Sequence, residues 1–220
     1  MYRMIPMLVL LSACDWEVDT DAAPQGQTMS EWSAQWWQWV MENPVSDAAI
    51  FDETGASCAN YQDTDGPVFF LAGTFGGSAE RTCTIPLGQA VLIPVINLTI
   101  DNGGVPEDAW TPDADLEAAA AAFQATVSGL TLTVDGEDVD AADITAVDPY
   151  AFAYTVPDTD NIYQLFGNDW AGTADPSYST GHYVMMEPPA PGEHELAWSA
   201  SAGSGDGAYS VSIAYHLTVE

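Results

Sequence analysis

Arg81 stands in the run Ala79-Glu80-Arg81-Thr82-Cys83, and apart from Arg3 it is the only basic side chain in a sequence that carries 33 carboxylates. A guanidinium kept in such company presents a rigid fork of donors that neither lysine nor glutamine reproduces. Two roles follow from that chemistry: a partly buried fork onto one of the carboxylates, or a lone cationic contact for an acidic ligand. Trp37 is the second residue with a chemical use, because an open indole face can serve as a platform for a sugar ring or an apolar ligand. Asp63-Thr64-Asp65-Gly66 begins like a calcium loop. The later oxygens of an EF-hand, its closing glutamate included, are missing, so Asp63 and Asp65 are left as a loose carboxylate pair that would suit calcium.

Spacing argues against most catalytic chemistry. The closest approach to a nucleophile elbow, Gly76-Gly77-Ser78-Ala79-Glu80, has glutamate where the last glycine is needed. His182, His194 and His216 come without an HExxH or a Cys-x-x-Cys pair. If Met186 pairs with His194 across a hairpin, His182 and His194 sit four positions apart, about 13 Å at strand rise and too far for one zinc. A glycosidase needs two carboxylates across a cleft. Among 33 acids some pair always falls near that distance, so the acid count does not identify a polysaccharide hydrolase, which is kept as the alternative reading.

The elements that would position these residues are legible in part. Thr28-Met29-Ser30-Glu31 is a capping box, and the helix it opens, over about 28–42, sets Trp32, Trp36, Trp39 and Val40 on one face. Trp37 falls about 140° from that face and is expected to be partly covered. Asn43-Pro44 ends the helix. Val68 to Ala72 reads as a short strand buried on both faces, and Ala90 to Ile100 as a central strand in which Pro94 implies an edge or a bulge. Thr111 as N-cap with Pro112 at the first position opens a second helix over about 112–128, ended by Gly129. Leu130, Leu132 and Val134 then alternate with Thr131, Thr133 and Asp135, and Asp135-Gly136 turns the strand back. Segments around Ile144, Ala151 to Val156 and Ile162 to Phe166 are weaker strand candidates. His182 to Glu187 and Glu193 to Ser199 flank Pro188-Pro189-Ala190-Pro191-Gly192 as a hairpin with a stiff loop. Tyr209 to Val219 alternates without a break, one face core and the other wet.

Compartment comes from the amino terminus. Residues 1–13, MYRMIPMLVLLSA, give a basic start, an apolar run and small residues, which is a secretion signal too short to span a bilayer as a mature helix. Leu11-Ser12-Ala13-Cys14 resembles the lipobox of bacterial lipoprotein precursors, which implies cleavage before Cys14 and its lipidation. With Cys14 so assigned, Cys58 and Cys83 remain as a pair, and outside the cytoplasm such a pair forms a disulfide. Residues 14–27 read as an acidic flexible tether and 28–220 as one domain. Losing Arg3 with the leader leaves 33 acids against one arginine, formally −32. That charge repels nucleic acid and anionic headgroups, and it suits a salty medium or bound divalent cations. The chain is 47% hydrophobic, so it has the material for a core and is no disordered acidic tail.

The Trp36-Trp37-x-Trp39 helix, Phe70-Leu71-Ala72-Gly73-Thr74 with Arg81-x-Cys83, and Pro191-Gly192-x-His194 before a Tyr-x-Leu-x-Val ending resemble a group of uncharacterised secreted bacterial proteins. The likeness spans most of the mature chain and implies an architecture rather than an activity. The expected fold is mainly β, a two-sheet β-sandwich or jelly-roll-like double sheet with two covering helices. The expected function is a lipid-anchored, extracytoplasmic binding or structural module of the bacterial cell envelope, on its periplasmic face or at the cell surface. It would be supported by calcium, and its partners would be the membrane, through the N-terminal lipid, and a glycan or an envelope protein.

Overall fold

The computed structural model describes residues 16–203, 205 and 208–220; Cys14, the leader and the lipobox lie outside the described residues. Thr28 and Glu31 form the expected reciprocal cap, with Glu31 N donating to Thr28 Oγ1 at 3.3 Å and Thr28 N to Glu31 Oε2 at 2.8 Å. Those bonds, to the Thr28 main chain first and its hydroxyl second, hold the Glu31 carboxyl below the usual carboxylate range. They open α1, Met29–Met41. Strands β1 (Val68–Phe70), β2 (Gly77–Ile85) and β3 (Ala90–Ile100) follow, then α2 (Asp113–Gln124), β4 (Ser128–Val134), β5 (Glu137–Asp138) and β6 (Thr145–Thr155). The short α3 (Ile162–Leu165) leads into β7 (Thr173–Met186), β8 (Gly192–Ala202) and β9 (Tyr209–Val219).

The strands make two sheets, ordered β1-β3-β7-β6 and β2-β9-β8-β4-β5. Between them lies a core that includes Ile85, Ile93, Leu132, Val184, Leu196, Leu217 and the stacked Trp198 and Tyr215 rings, 5.6 Å apart. The fold is thus the expected mainly β sandwich. α1 covers the other face of the four-stranded sheet, so that sheet is buried on both sides, whereas α2 packs at the end of the inner face, Leu116 and Ala120 against Tyr178 and Ile100 and Phe123 stacked on Tyr209 of β9. β1 and the first part of β3 accordingly read as continuous apolar runs, whereas β9 alternates buried and open positions as a one-sided sheet requires. Pro94 sits beside a register shift between Pro94 and Ile96, the bulge that its missing N–H imposes on a central strand. Asp135 and Gly136 both take positive φ, 51° and 85°, in the expected turn from β4 to β5.

Five sequence expectations are corrected. The proline-rich run from Pro188 to Gly192 is a crossover between sheets and no hairpin: Met186 pairs with Val91, and His194 with Leu217. Two-residue periodicity fixes which face a side chain takes but not which strand lies beside it. The second helix covers Asp113–Gln124 and starts from Pro112, because Asn102 claims both the N–H and the carbonyl of Thr111 at 2.9 Å. Gly129 does take a positive φ of 64°, but inside the irregular start of β4 rather than as a helix cap. The segment Ile162–Leu165 is helical, capped by the Asn161 and Gln164 box. Finally, the tether is docked from Trp16 onward. Val18 bridges to Met186 where β6 has ended, Asp19 N donates to Met185 O at 2.8 Å, and Trp16 Nε1 donates to Glu187 O. The Trp16 and His194 rings lie 5.1 Å apart. Acidic composition hid two apolar side chains that have a strand end to cover.

The long connection from α1 to β1 is stitched to the edge strand β2 at three consecutive residues. Arg81 Nε donates to Asp52 O, Thr82 N donates to Thr54 O at 2.9 Å, and Cys83 is bonded to Cys58. The connection thereby covers an edge that would otherwise present unpaired backbone groups. Within it, burial disfavours the charged Asp52 carboxylate, but hydrogen bonds from Ser57 and Thr54 outweigh that and hold it below the usual carboxylate range. Gly55 has φ 93°, and a Cβ there would come within 2.2 Å of Thr82 O. Gly55→Ala is therefore expected to cost about 2–3 kcal/mol in denaturant unfolding, by backbone strain and collision with a main-chain atom; a loss within 0.5 kcal/mol would show that the connection is not held there.

Candidate functional site

Arg81 is 1% exposed and touches no carboxylate among the described residues. Its guanidinium donates to the carbonyls of Asp52 (2.6 Å), Ala72 (2.7 Å) and Gly73 (3.1 Å) and to the Tyr215 hydroxyl (3.2 Å), and it lies 5.4 Å from the Tyr215 ring centroid. The expected fork onto a carboxylate is a fork onto main-chain oxygens, and the alternative of a ligand contact is excluded by burial. Trp37 is 4% exposed, so it offers no platform either. Residues of the α1–β1 connection lie over the side of α1 that the sheet leaves open, with Trp39 Nε1 donating to Asn60 O, and the helix is enclosed on nearly all sides.

Asp63 uses one carboxylate oxygen to accept the Asp65 N–H at 3.2 Å, the geometry of a turn rather than of a metal cage. Among the described residues no three histidine, cysteine or carboxylate side chains converge on a point where a metal would sit. Asp63 and Asp65 have no third carboxylate, histidine or cysteine beside them among the described residues. The histidines are dispersed. His194 contacts Asp135 and Ala190 O, and His216 contacts Glu80 and Glu195. The hydrogen bond to Glu80, ahead of the field of Glu195, pushes the His216 imidazole up, whereas burial pushes His182 down. The disulfide Cys58–Cys83 is present, with Cα atoms 6.0 Å apart.

The side chains that do converge on a cavity are ones the sequence did not nominate. After β3 the chain turns through Val105-Pro106 and a single helical turn, and Trp110 Nε1 folds back to Val105 O at 2.8 Å. That bond, with the Asn102 clamp on Thr111, fixes the Trp110 indole while leaving it 51% exposed. Trp170 lines the same cavity, held through Asn161 Nδ2 to its carbonyl at 2.9 Å and through the edge-on Tyr163 ring 4.6 Å away. The two tryptophans, with Asp113 of α2 and Asp175 of β7, line a cavity of about 400 Å³. Its size suits one or two sugar rings or an equivalent small molecule.

A second hollow of about 440 Å³ adjoins it at Gly103 and is lined by Asp101, Tyr163, Phe166 and Asn168. Gly103 permits the junction, since a Cβ there would collide with the Tyr163 hydroxyl. Beneath the hollow the Asp101 carboxylate accepts from Tyr154 and Tyr163, each at 2.8 Å, and the two hydroxyls are 2.6 Å apart. Burial, then the Asp101 charge, pushes both phenols far above their ordinary range, so they stay neutral donors. A wider hollow of about 640 Å³ on the outer face of the five-stranded sheet is lined by Ser78, Thr131, Ser199 and Ser212; its one tryptophan, Trp198, has its ring in the core.

The Trp110 cavity sits where β3 ends and β7 begins, and the docked Trp16 segment sits where β7 ends. β7 is 14 residues long, so the two lie about 40 Å apart at strand rise. The sequence trace of the site is slight: an aromatic residue between the turn formers Pro106 and Pro112, in a connection outside the regular elements.

No family model matches this sequence, and no curated protein matches it. Two solved structures show partial likeness. One is titled "Structure of PbICP-C in complex with falcipain-2", at 11% identity over 70% of this chain and 100% of that one, with a TM-score of 0.27. The other is "Solution Structure of Amebosin", at 12% identity over 65% of this chain and 96% of that one, with a TM-score of 0.19. At those scores neither carries an argument about fold or function.

Proposed function

We propose that this chain is a lipid-anchored, extracytoplasmic glycan-binding module of the bacterial cell envelope, and that its ligand enters the cavity between Trp110 and Trp170. The observation that carries the reading is that cavity: two indoles and two carboxylates line a sugar-sized space, at the end of the sandwich away from the docked Trp16 segment. Apolar sugar faces stack on aromatic rings, and their hydroxyls donate to carboxylates. The lipobox-like Leu11-Ser12-Ala13-Cys14 and the disulfide support the compartment. An anchor at Cys14, two residues before the docked Trp16, would hold one end of the domain to the membrane and present the cavity at the other.

Trp110→Ala is expected to weaken binding by about 2 kcal/mol, roughly thirtyfold, with the unfolding midpoint unchanged. Trp37→Phe is expected to leave the affinity intact, because that ring is buried. A glycan array read with both variants checks this, and binding that is indifferent to Trp110 would overturn the reading. A polysaccharide hydrolase is the alternative, since Asp113 and Asp175 line one cavity. Both are exposed and accept no described hydrogen bond from the protein, whereas hydrolysis asks for a buried acid set against an ionised partner. Release of reducing ends that Asp113→Asn or Asp175→Asn abolishes would favour the hydrolase.

A further inference from the structure

We propose that the glycan taken by the Trp110–Trp170 cavity bears free amino groups, a cationic amino-sugar chain rather than a neutral or acidic one. The proposal rests on the glycan reading above and names its ligand class. Among the polar side chains lining the cavity, Asn102 is consumed by the Thr111 main chain, and the Thr173 hydroxyl is paired with Thr155 at 2.8 Å. Asp113 and Asp175 accept no described hydrogen bond from the protein. The strongest groups left for a ligand are therefore two carboxylate acceptors. A sugar hydroxyl can donate to a carboxylate, but an ammonium does so with charge assistance, and such bonds are about twice as strong. The indole faces of Trp110 and Trp170 add to the attraction, because a ring face favours a cation over a neutral group.

The charge of the whole chain selects in the same direction. Arg81 is the only arginine or lysine among the described residues, and it is buried and committed to three carbonyls. Among the described residues no such side chain is available to neutralise a uronate, sulfate or phosphate on a ligand. The formal charge of −31 repels those groups and concentrates cations near the surface.

Calorimetric titration of the full chain at fixed ionic strength, with β-1,4 hexamers of glucosamine and N-acetylglucosamine and a hexamer of galacturonate, tests the proposal. The glucosamine hexamer is expected to bind at least tenfold more tightly than the acetylated one, and the galacturonate not at all. The double variant Asp113→Asn/Asp175→Asn, altered only at exposed positions, is expected to abolish that preference, and Trp110→Ala to weaken both hexosamine chains alike. Equal or tighter binding of the acetylated hexamer overturns the amine requirement and leaves the glycan reading standing. A glucosamine preference that survives the double variant, and fades only with added salt, also overturns it, as attraction to the acidic surface at large. Failure of all three hexamers to bind overturns the glycan reading together with the proposal.

Discussion

Replacing Arg81 with methionine is expected to lower stability by about 3–5 kcal/mol, a loss on the scale seen when a buried charge network is broken. Methionine fills similar space but leaves the carbonyls of Asp52 and Gly73 without their donor and that of Ala72 with the Tyr215 hydroxyl alone, and each buried oxygen stranded costs about 1–3 kcal/mol. Arg81→Lys is expected to recover only part of that, since one ammonium cannot meet three divergent carbonyls and lie against the Tyr215 ring as the planar fork does. Urea unfolding of the wild type and both variants is the measurement, with the slope held constant so that the midpoint reports stability. A loss below 1 kcal/mol for Arg81→Met would mean that the guanidinium is a passenger in the core. The same variant separates structure from binding: glycan affinity per folded molecule should not change, because no ligand reaches that depth.

Removing the disulfide is expected to cost nearly as much. Cys58 and Cys83 are 25 residues apart, and closing a loop of that length in the unfolded chain corresponds to about 3.5 kcal/mol. For a domain of this size that moves the thermal midpoint by about 10 °C. The double substitution Cys58→Ala/Cys83→Ala, followed by calorimetry, provides the comparison. Combined with Arg81→Met it should lose less than the sum of the two effects, because Arg81, Thr82 and Cys83 fix the same stretch, residues 52–58, onto β2. Strict additivity would show instead that the bridge and the guanidinium hold independent parts of the fold.

Much of the architecture could be read from local chemistry. The capping box at Thr28, the Asp135-Gly136 turn, the bulge at Pro94 and the alternation of Tyr209 to Val219 each depend on residues close in sequence. What could not be read depends on neighbours brought from afar. The run from Pro188 to Gly192 looks like a hairpin loop because both flanks are strands, yet β7 is covered on both faces and β8 on one, so they belong to different sheets. Trp37 lies off the apolar face of its helix by angle alone, yet it is buried in one cluster with Tyr183 and Met185 of β7, a strand far along the chain. Composition sets Arg81 against carboxylates because those are what a sequence can count. Its partners are main-chain carbonyls, which every residue carries and which leave no trace in composition.

The candidate site shows the same limit. Trp110 and Trp170 come from connections 60 residues apart, joined only when β3 and β7 pair, and neither belongs to a motif. On the proposed function these two indoles, and not the tryptophan-rich helix, receive the ligand. Following the eight indole N–H resonances by nuclear magnetic resonance, during titration with the glucosamine hexamer, tests it most directly. The Trp110 and Trp170 signals are expected to move together and saturate, while those of buried Trp36 and Trp198 stay in place. Saturable binding that leaves Trp110 and Trp170 unmoved, or no binding at all, would contradict it.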